Sequence, residues 1–168
     1  MIDSMYPKNY KRTIVDRVLH KIKMPRDANN INISIREACI SFKPDIVFIV
    51  KGVTIKPSTL KFIKAKGIKS ISWSNDDMYG WHNRSLWYTL GLKDYDLVVT
   101  QKSYNCNQDE LPSLGAKTFF QNKAFEPKVH YPVKSCDTYT CVHDVLFVGA
   151  MEEDRLAQLI YLAQNDIK

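Results

Sequence analysis

Residues 43–52 read Lys-Pro-Asp-Ile-Val-Phe-Ile-Val-Lys-Gly, residues 68–77 read Ile-Lys-Ser-Ile-Ser-Trp-Ser-Asn-Asp-Asp, and residues 95–101 read Tyr-Asp-Leu-Val-Val-Thr-Gln. Each is a short, β-branched apolar run that ends on a polar residue or glycine, and helical patterns separate the three. Strand and helix alternating at this spacing predict parallel βαβ units. Strands covered by helices on both sides are expected to be apolar on both faces. Ligands of such sheets gather at the carboxyl ends of the strands. Here those ends are Lys51-Gly52, Trp73 to Asp77 and Thr100-Gln101. Function should be sought there.

Working outward, Ile14, Val15, Val18, Leu19 and Ile22 form an apolar stripe on a helix over residues 10–22, and Pro25 closes it. Asn29 or Asn30 is placed to cap a second helix, in which Ile31, Ile35, Ala38, Cys39 and Phe42 repeat at helical spacing. Lys43-Pro44 ends it, because a residue before proline is pushed out of the α region. Pro57 suits a first helical turn, Leu60 and Ile63 its inner face, and Gly67 its exit. A short helix is expected within 83–92, with Leu86, Trp87 and Leu90 inward and Gly91 near its end, and a polar one at about 103–111. Lys117 to Phe120 reads as a weaker fourth strand.

From Gln121 to Val142 the periodicity dissolves into loop and linker. Asp144 to Gly149 then reads as a buried strand, and Leu156, Leu159, Ile160 and Ala163 as one helical face. The expected organisation is therefore a Rossmann-like domain over 1–131, a linker over 132–143, and the first βα unit of a second domain over 144–168.

Bulk properties narrow the class. The 168 residues are 45% hydrophobic and 25% charged, ordinary for a globular chain with one sizeable core. The net charge of +6 is moderate and its lysines are scattered, apart from Lys56, Lys61, Lys64, Lys66 and Lys69, which read as the solvated side of a helix and its exit turn. No nucleic-acid-binding motif is present, so no nucleic-acid partner is expected. No segment approaches the roughly 20 apolar residues that span a bilayer, and no signal-peptide core opens the chain. Cys39, Cys106, Cys136 and Cys141 contain no Cys-x-x-Cys pair and read as reduced thiols of a cytoplasmic protein.

The Trp73-Ser74-Asn75-Asp76-Asp77 run carries the most chemistry. Carboxylates at a strand end beside an aromatic ring can accept hydrogen bonds from a hydroxyl-rich ligand while the ring covers an apolar sugar face. Asp76 or Asp77 can also serve as general base for an acceptor hydroxyl. The plainer alternative is that Asn75 and Asp76 cap the next turn and Trp73 is core. His82 lies in the same loop beside Trp81, and Gly52 permits close backbone approach or a left-handed turn. Gln101 closes the third strand end. His130, Cys136, Cys141 and His143 lack the paired spacing of common zinc sites, so no metal is expected. Neither a Gly-x-Gly-x-x-Gly run nor a nucleophile elbow appears.

Taken in order, these motifs resemble the CgeB-like family of glycosyltransferases (spore maturation protein type), of the GT-B fold. The resemblance runs from about Ile31 to Arg155. It rests on Lys-Pro-Asp-Ile-Val at 43–47, Trp-Ser-Asn-Asp-Asp at 73–77 and Tyr-Asp-Leu-Val-Val-Thr at 95–100. It continues through Leu-Gly-Ala-Lys at 114–117, Pro127, Asp-Val-Leu-Phe-Val-Gly at 144–149, and Arg155.

The resemblance implies two Rossmann-like domains facing a cleft, the first binding a hydroxyl-bearing acceptor and the second a nucleotide-sugar donor. Transfer in that family needs no bound metal or other cofactor. Carried over, it puts Asp76 and Asp77 on the acceptor-side strand end and Gly149 at the donor-domain edge; with the reading of the residues themselves, Asp76, Asp77 and His82 are the catalytic candidates and Gly52, Trp73, Asn75 and Gln101 the acceptor-side ones. A usual first strand would precede residue 10, and most of a donor domain would follow residue 168. On this reading the chain is an acceptor-side part that is inactive by itself and meets a nucleotide sugar only where a donor domain is supplied. The competing reading is a non-catalytic Rossmann-like binding or interaction module.

Overall fold

The computed structural model describes Ile2, Lys11 and residues 13–129, 145–149, 153–165 and 167. Four strands, β1 (Ile46–Val50), β2 (Lys69–Ser74), β3 (Leu97–Thr100) and β4 (Thr118–Phe120), form one sheet in the order β1-β2-β3-β4. Every pairing is parallel: Phe48 lies opposite Ile71, Ser72 opposite Val98, and Val99 opposite Phe119. Helices α1 (Ile14–Lys21), α2 (Ile31–Ser41), α3 (Pro57–Ala65) and α4 (Leu86–Gly91) accompany it. This is the expected α/β class, a parallel sheet flanked by helices in Rossmann-like fashion.

The topology has a direct geometric consequence. Right-handed crossovers between successive neighbours all fall on one side of the sheet. The core shows that side: Ile31, Ile35 and Cys39 of α2, Leu60 and Ile63 of α3 and Tyr88 of α4 cluster with Ile49 and Val98. Each of these is under a tenth exposed. Beneath α3, β2 contributes Ser70, Ser72 and Ser74, all buried. Small side chains let the helix approach, while Ile71 and Trp73 alternate onto the other face.

Local chemistry sets the helix ends. Thr13 and Asp16 form a reciprocal capping box at α1, with Thr13 Oγ1 accepting from the Asp16 amide at 3.2 Å and Asp16 Oδ2 accepting from the Thr13 amide at 2.7 Å. Pro57 stands in the first turn of α3, and Gly67 leaves that helix in the left-handed region at φ 74°. At α2 the cap differs from the sequence expectation. Asn30 is left-handed and makes no side-chain cap bond. Asp27 does the work instead, accepting from the Ile31 amide at 2.7 Å and the Asn32 amide at 2.9 Å.

Other expectations are corrected. The short helix buries Tyr88 and Gly91, not Leu86 and Leu90, which are 38% and 48% exposed. Ser85 Oγ caps it by accepting from the Tyr88 amide, and Gly91 packs close to α3, where an added Cβ would lie 2.9 Å from Leu60 Cδ1 and the leucine would have to shift. No helix covers 103–111. Two 3₁₀ turns, Ser103–Cys106 and Leu111–Leu114, stand there. Asn105 turns its amide inward, donating to Asp77 and Glu110, in place of regular helix packing. The α1 stripe stays largely open, with Ile14 78% exposed.

The chain divides into two compact units, Met1–Lys123 and Ala124–Lys168. In the second, residues 145–149 are irregular rather than the expected strand, and Leu146 and Val148 are exposed. A strand needs an edge that takes its backbone donors and acceptors. Among the described residues of that unit there is none. Helix α5 (Glu153–Gln164) forms as expected, with Leu156 and Ile160 exposed. Among the described residues no helix is long and apolar enough to cross a membrane.

Candidate functional site

The carboxyl edge of the sheet holds two neighbouring arrangements. The first is a polar lock beyond β2 and β3. Ser74 Oγ accepts from the Asp76 amide at 3.1 Å, which turns the chain sharply after the strand. Asp77 Oδ1 accepts from the amides of Tyr79 and Gly80 at 3.1 and 3.0 Å. The fully buried Asn105 ties the turn down: its Nδ2 donates to Asp77 Oδ1 at 2.9 Å and Glu110 Oε2 at 2.7 Å, and its Oδ1 accepts from the Met78 amide at 3.2 Å.

Burial alone would raise the Asp77 carboxyl. The hydrogen bonds from Asn105, Gly80 and Tyr79, with the charge of His82, outweigh it and hold the group below the usual carboxylate range. Asp77 is thus a turn-forming carboxylate with one oxygen fully engaged. Asp76, half-buried, forms an ion pair with Lys51 across the β1–β2 strand ends. Lys51 takes the left-handed region at φ 54°, so the special conformation falls on the lysine and not on Gly52. Gly52 serves close approach: a Cβ there would lie 2.7 Å from Ile49 Cγ2 and 2.8 Å from Tyr95 Oη.

The second arrangement is a cavity of about 920 Å³ at the carboxyl end of β1. Its walls come from three segments: the α1–α2 connection, the turn after β1, and the loop before α4. Lys23, Lys51, Gly52, His82, Arg84 and Ser85 are among its lining residues. Two hydrogen bonds stitch the walls together: Ser85 Oγ donates to the Val53 carbonyl, and the Leu86 amide donates to the Lys23 carbonyl at 2.7 Å. The volume lies within the range of small-molecule sites, about 300–1,000 Å³.

At the mouth, Asn83 Nδ2 donates to the Asp77 carbonyl at 3.0 Å and lies 3.0 Å from His82 Nε2. Trp81 is 65% exposed, with the Lys23 ammonium 5.7 Å and the Arg84 guanidinium 5.9 Å from its ring centre.

The structure thus divides the expected site residues. Gly52 and His82 line the cavity. Asp76 reaches it only through Lys51, and Asp77 only through the turn it builds. Trp73 is half-buried on the sheet face it shares with Val50 and Val99, Asn75 is exposed, and Gln101 donates its amide to the Ser74 carbonyl at 3.2 Å. None of these three lines the cavity. Gly149 belongs to the second unit. His130, Cys136, Cys141 and His143 lie outside the described residues, among which no three His, Cys, Asp or Glu side chains gather as a metal site.

Sequence reasoning missed Lys23, Arg84 and Asn105. Lys23 stands in an aperiodic connection, Arg84 within an expected helix, and Asn105 in a polar stretch, so only the fold makes them neighbours of the site. Comparison with known proteins returns no matching family model, no matching curated protein and no matching solved structure.

Proposed function

We propose that the sheet-bearing unit is a small-molecule-binding domain that takes a hydroxyl-bearing acceptor in the β1 cavity, in the manner of the acceptor-side half of a GT-B sugar transferase. The observation that carries the reading is the cavity itself, of about 920 Å³ at the carboxyl end of a strand in an all-parallel sheet. On this reading the acceptor hydroxyl attacks the anomeric carbon of a nucleotide sugar. The bond from that carbon to the nucleotide diphosphate breaks, and a base takes the hydroxyl proton. His82 stands at the mouth as the candidate base, its Nε2 3.0 Å from Asn83 Nδ2, and the Asp76–Lys51 pair braces the rim. The nucleotide sugar itself requires a donor-binding domain, in cis or in trans.

One observation favours the non-catalytic alternative of a binding module. Among the described residues the only carboxylate lining the cavity is Asp27, and its oxygens already accept from the start of α2. A binding domain needs no base. Titration with neutral mono- and disaccharides, followed by amide chemical shifts, tests the shared part of both readings. Saturable shifts confined to residues 51–55 and 82–85 are expected. Shifts confined to the 75–77 and 101 rim, or none at all, would remove the cavity as acceptor site. A base role for His82 adds a second measurement: with a donor domain present, His82→Ala lowers kcat about a hundredfold or more while leaving saccharide affinity nearly unchanged.

A further inference from the structure

The charges around the cavity do not balance, and the imbalance has a location. Among the described residues four cations line it, Lys23, Arg26, Lys51 and Arg84, against the single carboxylate of Asp27. Asp27 is committed to α2. Two of the cations are answered from outside the cavity: Lys51 by Asp76, and Arg26 by Asp16 at 3.9 Å. Lys23 and Arg84 remain. Among the described residues neither has a carboxylate within 4 Å. Lys23 Nζ donates to the His82 carbonyl at 3.4 Å, and Arg84 stacks on Tyr79 at 4.9 Å. Both lean on the same Trp81 ring.

Arg84 adds an independent observation. Its Nε and Nη1 are buried and meet no hydrogen-bond acceptor. Aromatic faces offset part of the charge, but they do not replace oxygen acceptors for the buried guanidinium N–H groups. An arginine held this way, at the mouth of a cavity whose carboxylate is spent elsewhere, lacks an oxyanion.

We propose that the cavity selects an anionic ligand, and that Lys23 and Arg84 form the subsite for its phosphate or carboxylate group against Trp81. The proposal rests on the acceptor-binding reading and narrows it to hydroxyl-bearing molecules that carry such a group. Guanidinium recognises either oxyanion through paired N–H donors, and the ammonium adds a point charge. Lys51 stays with Asp76 as a bracing pair, and the apolar floor of Val53 and Ile55 meets the carbon skeleton.

The test is calorimetric titration of the full chain with glucose 6-phosphate, gluconate, inorganic phosphate and glucose. Glucose 6-phosphate or gluconate should bind at least about tenfold tighter than glucose, and the gain should shrink as salt is raised through the screening range. Whichever of the two binds tighter identifies the oxyanion. Lys23→Gln and Arg84→Gln should each weaken the anionic ligand by about tenfold to a hundredfold, and by several-fold more than either weakens glucose. Lys23→Gln keeps the test decisive if the arginine variant fails to fold.

Glucose binding with no gain from either anionic group overturns the subsite and spares the acceptor reading. Inorganic phosphate binding that both substitutions abolish, with no saccharide binding of any kind, keeps the subsite and ends the acceptor reading. Anion binding indifferent to both substitutions overturns the assignment to these residues.

Discussion

The two faces of the one sheet are built differently. On the helix-bearing face Ile49, Ser70, Ser72, Ser74, Val98 and Thr100 are all 7% exposed or less. On the opposite face Ile46, Phe48, Val50 and Phe119 are 54, 58, 60 and 52% exposed, and Ile71, Trp73, Leu97 and Val99 are half-buried. The chemistry runs against naive alternation, because β2 buries its serines and turns its isoleucine and tryptophan to the more open side. Strand order explains which face the helices take. Neighbouring parallel strands in chain order send every right-handed crossover to one side. Apolar composition then marks the other face as one that a parallel sheet ordinarily covers too.

The largest effect expected from this contrast lies under α3. Ile63 is 0% exposed, and Ile63→Ala should cost about 2–5 kcal/mol of unfolding free energy, read from urea denaturation. A cost below about 1 kcal/mol would mean that the helix-bearing face is not the stabilising one.

Next comes the rim where the covered face ends. Asn105→Ala removes donors to two carboxylates and should cost about 2–3 kcal/mol. The Asp77 carboxyl is held below its unfolded value, so its contribution is complete above that value, near 4, and is lost as pH falls through the lower folded one. Asp96 acts in the same direction, chiefly through the Ser70 amide it accepts from. Denaturation midpoints should therefore fall as pH drops below about 4, and fall less in Asp77→Asn. An equal fall in wild type and variant would break the link between this turn and stability.

The smallest effect belongs to the open face. Phe48→Ala should cost under about 1 kcal/mol, because that ring already meets water over 58% of its surface. A loss approaching that of Ile63→Ala would show that another layer covers this face in solution.

The division between sequence and tertiary structure follows from what each interaction depends on. The strand runs at 46–50, 69–74 and 97–100, the parallel α/β class, and Pro57 and Gly67 at the ends of α3 were legible, because β-branched runs, turn chemistry and crossover handedness are local or topological properties. The inward face of α4 was not legible, because a helix of six residues carries too little periodicity to orient itself and takes its orientation from Tyr88 entering the core. Asp27 outcompeted Asn30 at α2 because a cap is decided by which carboxylate the preceding loop brings within reach. The strand read at 144–149 has irregular backbone over 145–149, because an apolar run becomes a strand only against an edge that accepts its hydrogen bonds.

At the candidate site the sequence supplied Gly52 and His82, which stand at a strand end and in a loop of recognisable chemistry. Lys23, Arg84 and Asn105 came from the fold alone. They lie far from one another along the chain, and only the sheet and its crossovers bring Lys23 and Arg84 to the same indole ring, or Asn105 between Asp77 and Glu110. Charge and hydrogen-bond complementarity act over a few ångströms, and separation along a sequence does not measure that distance.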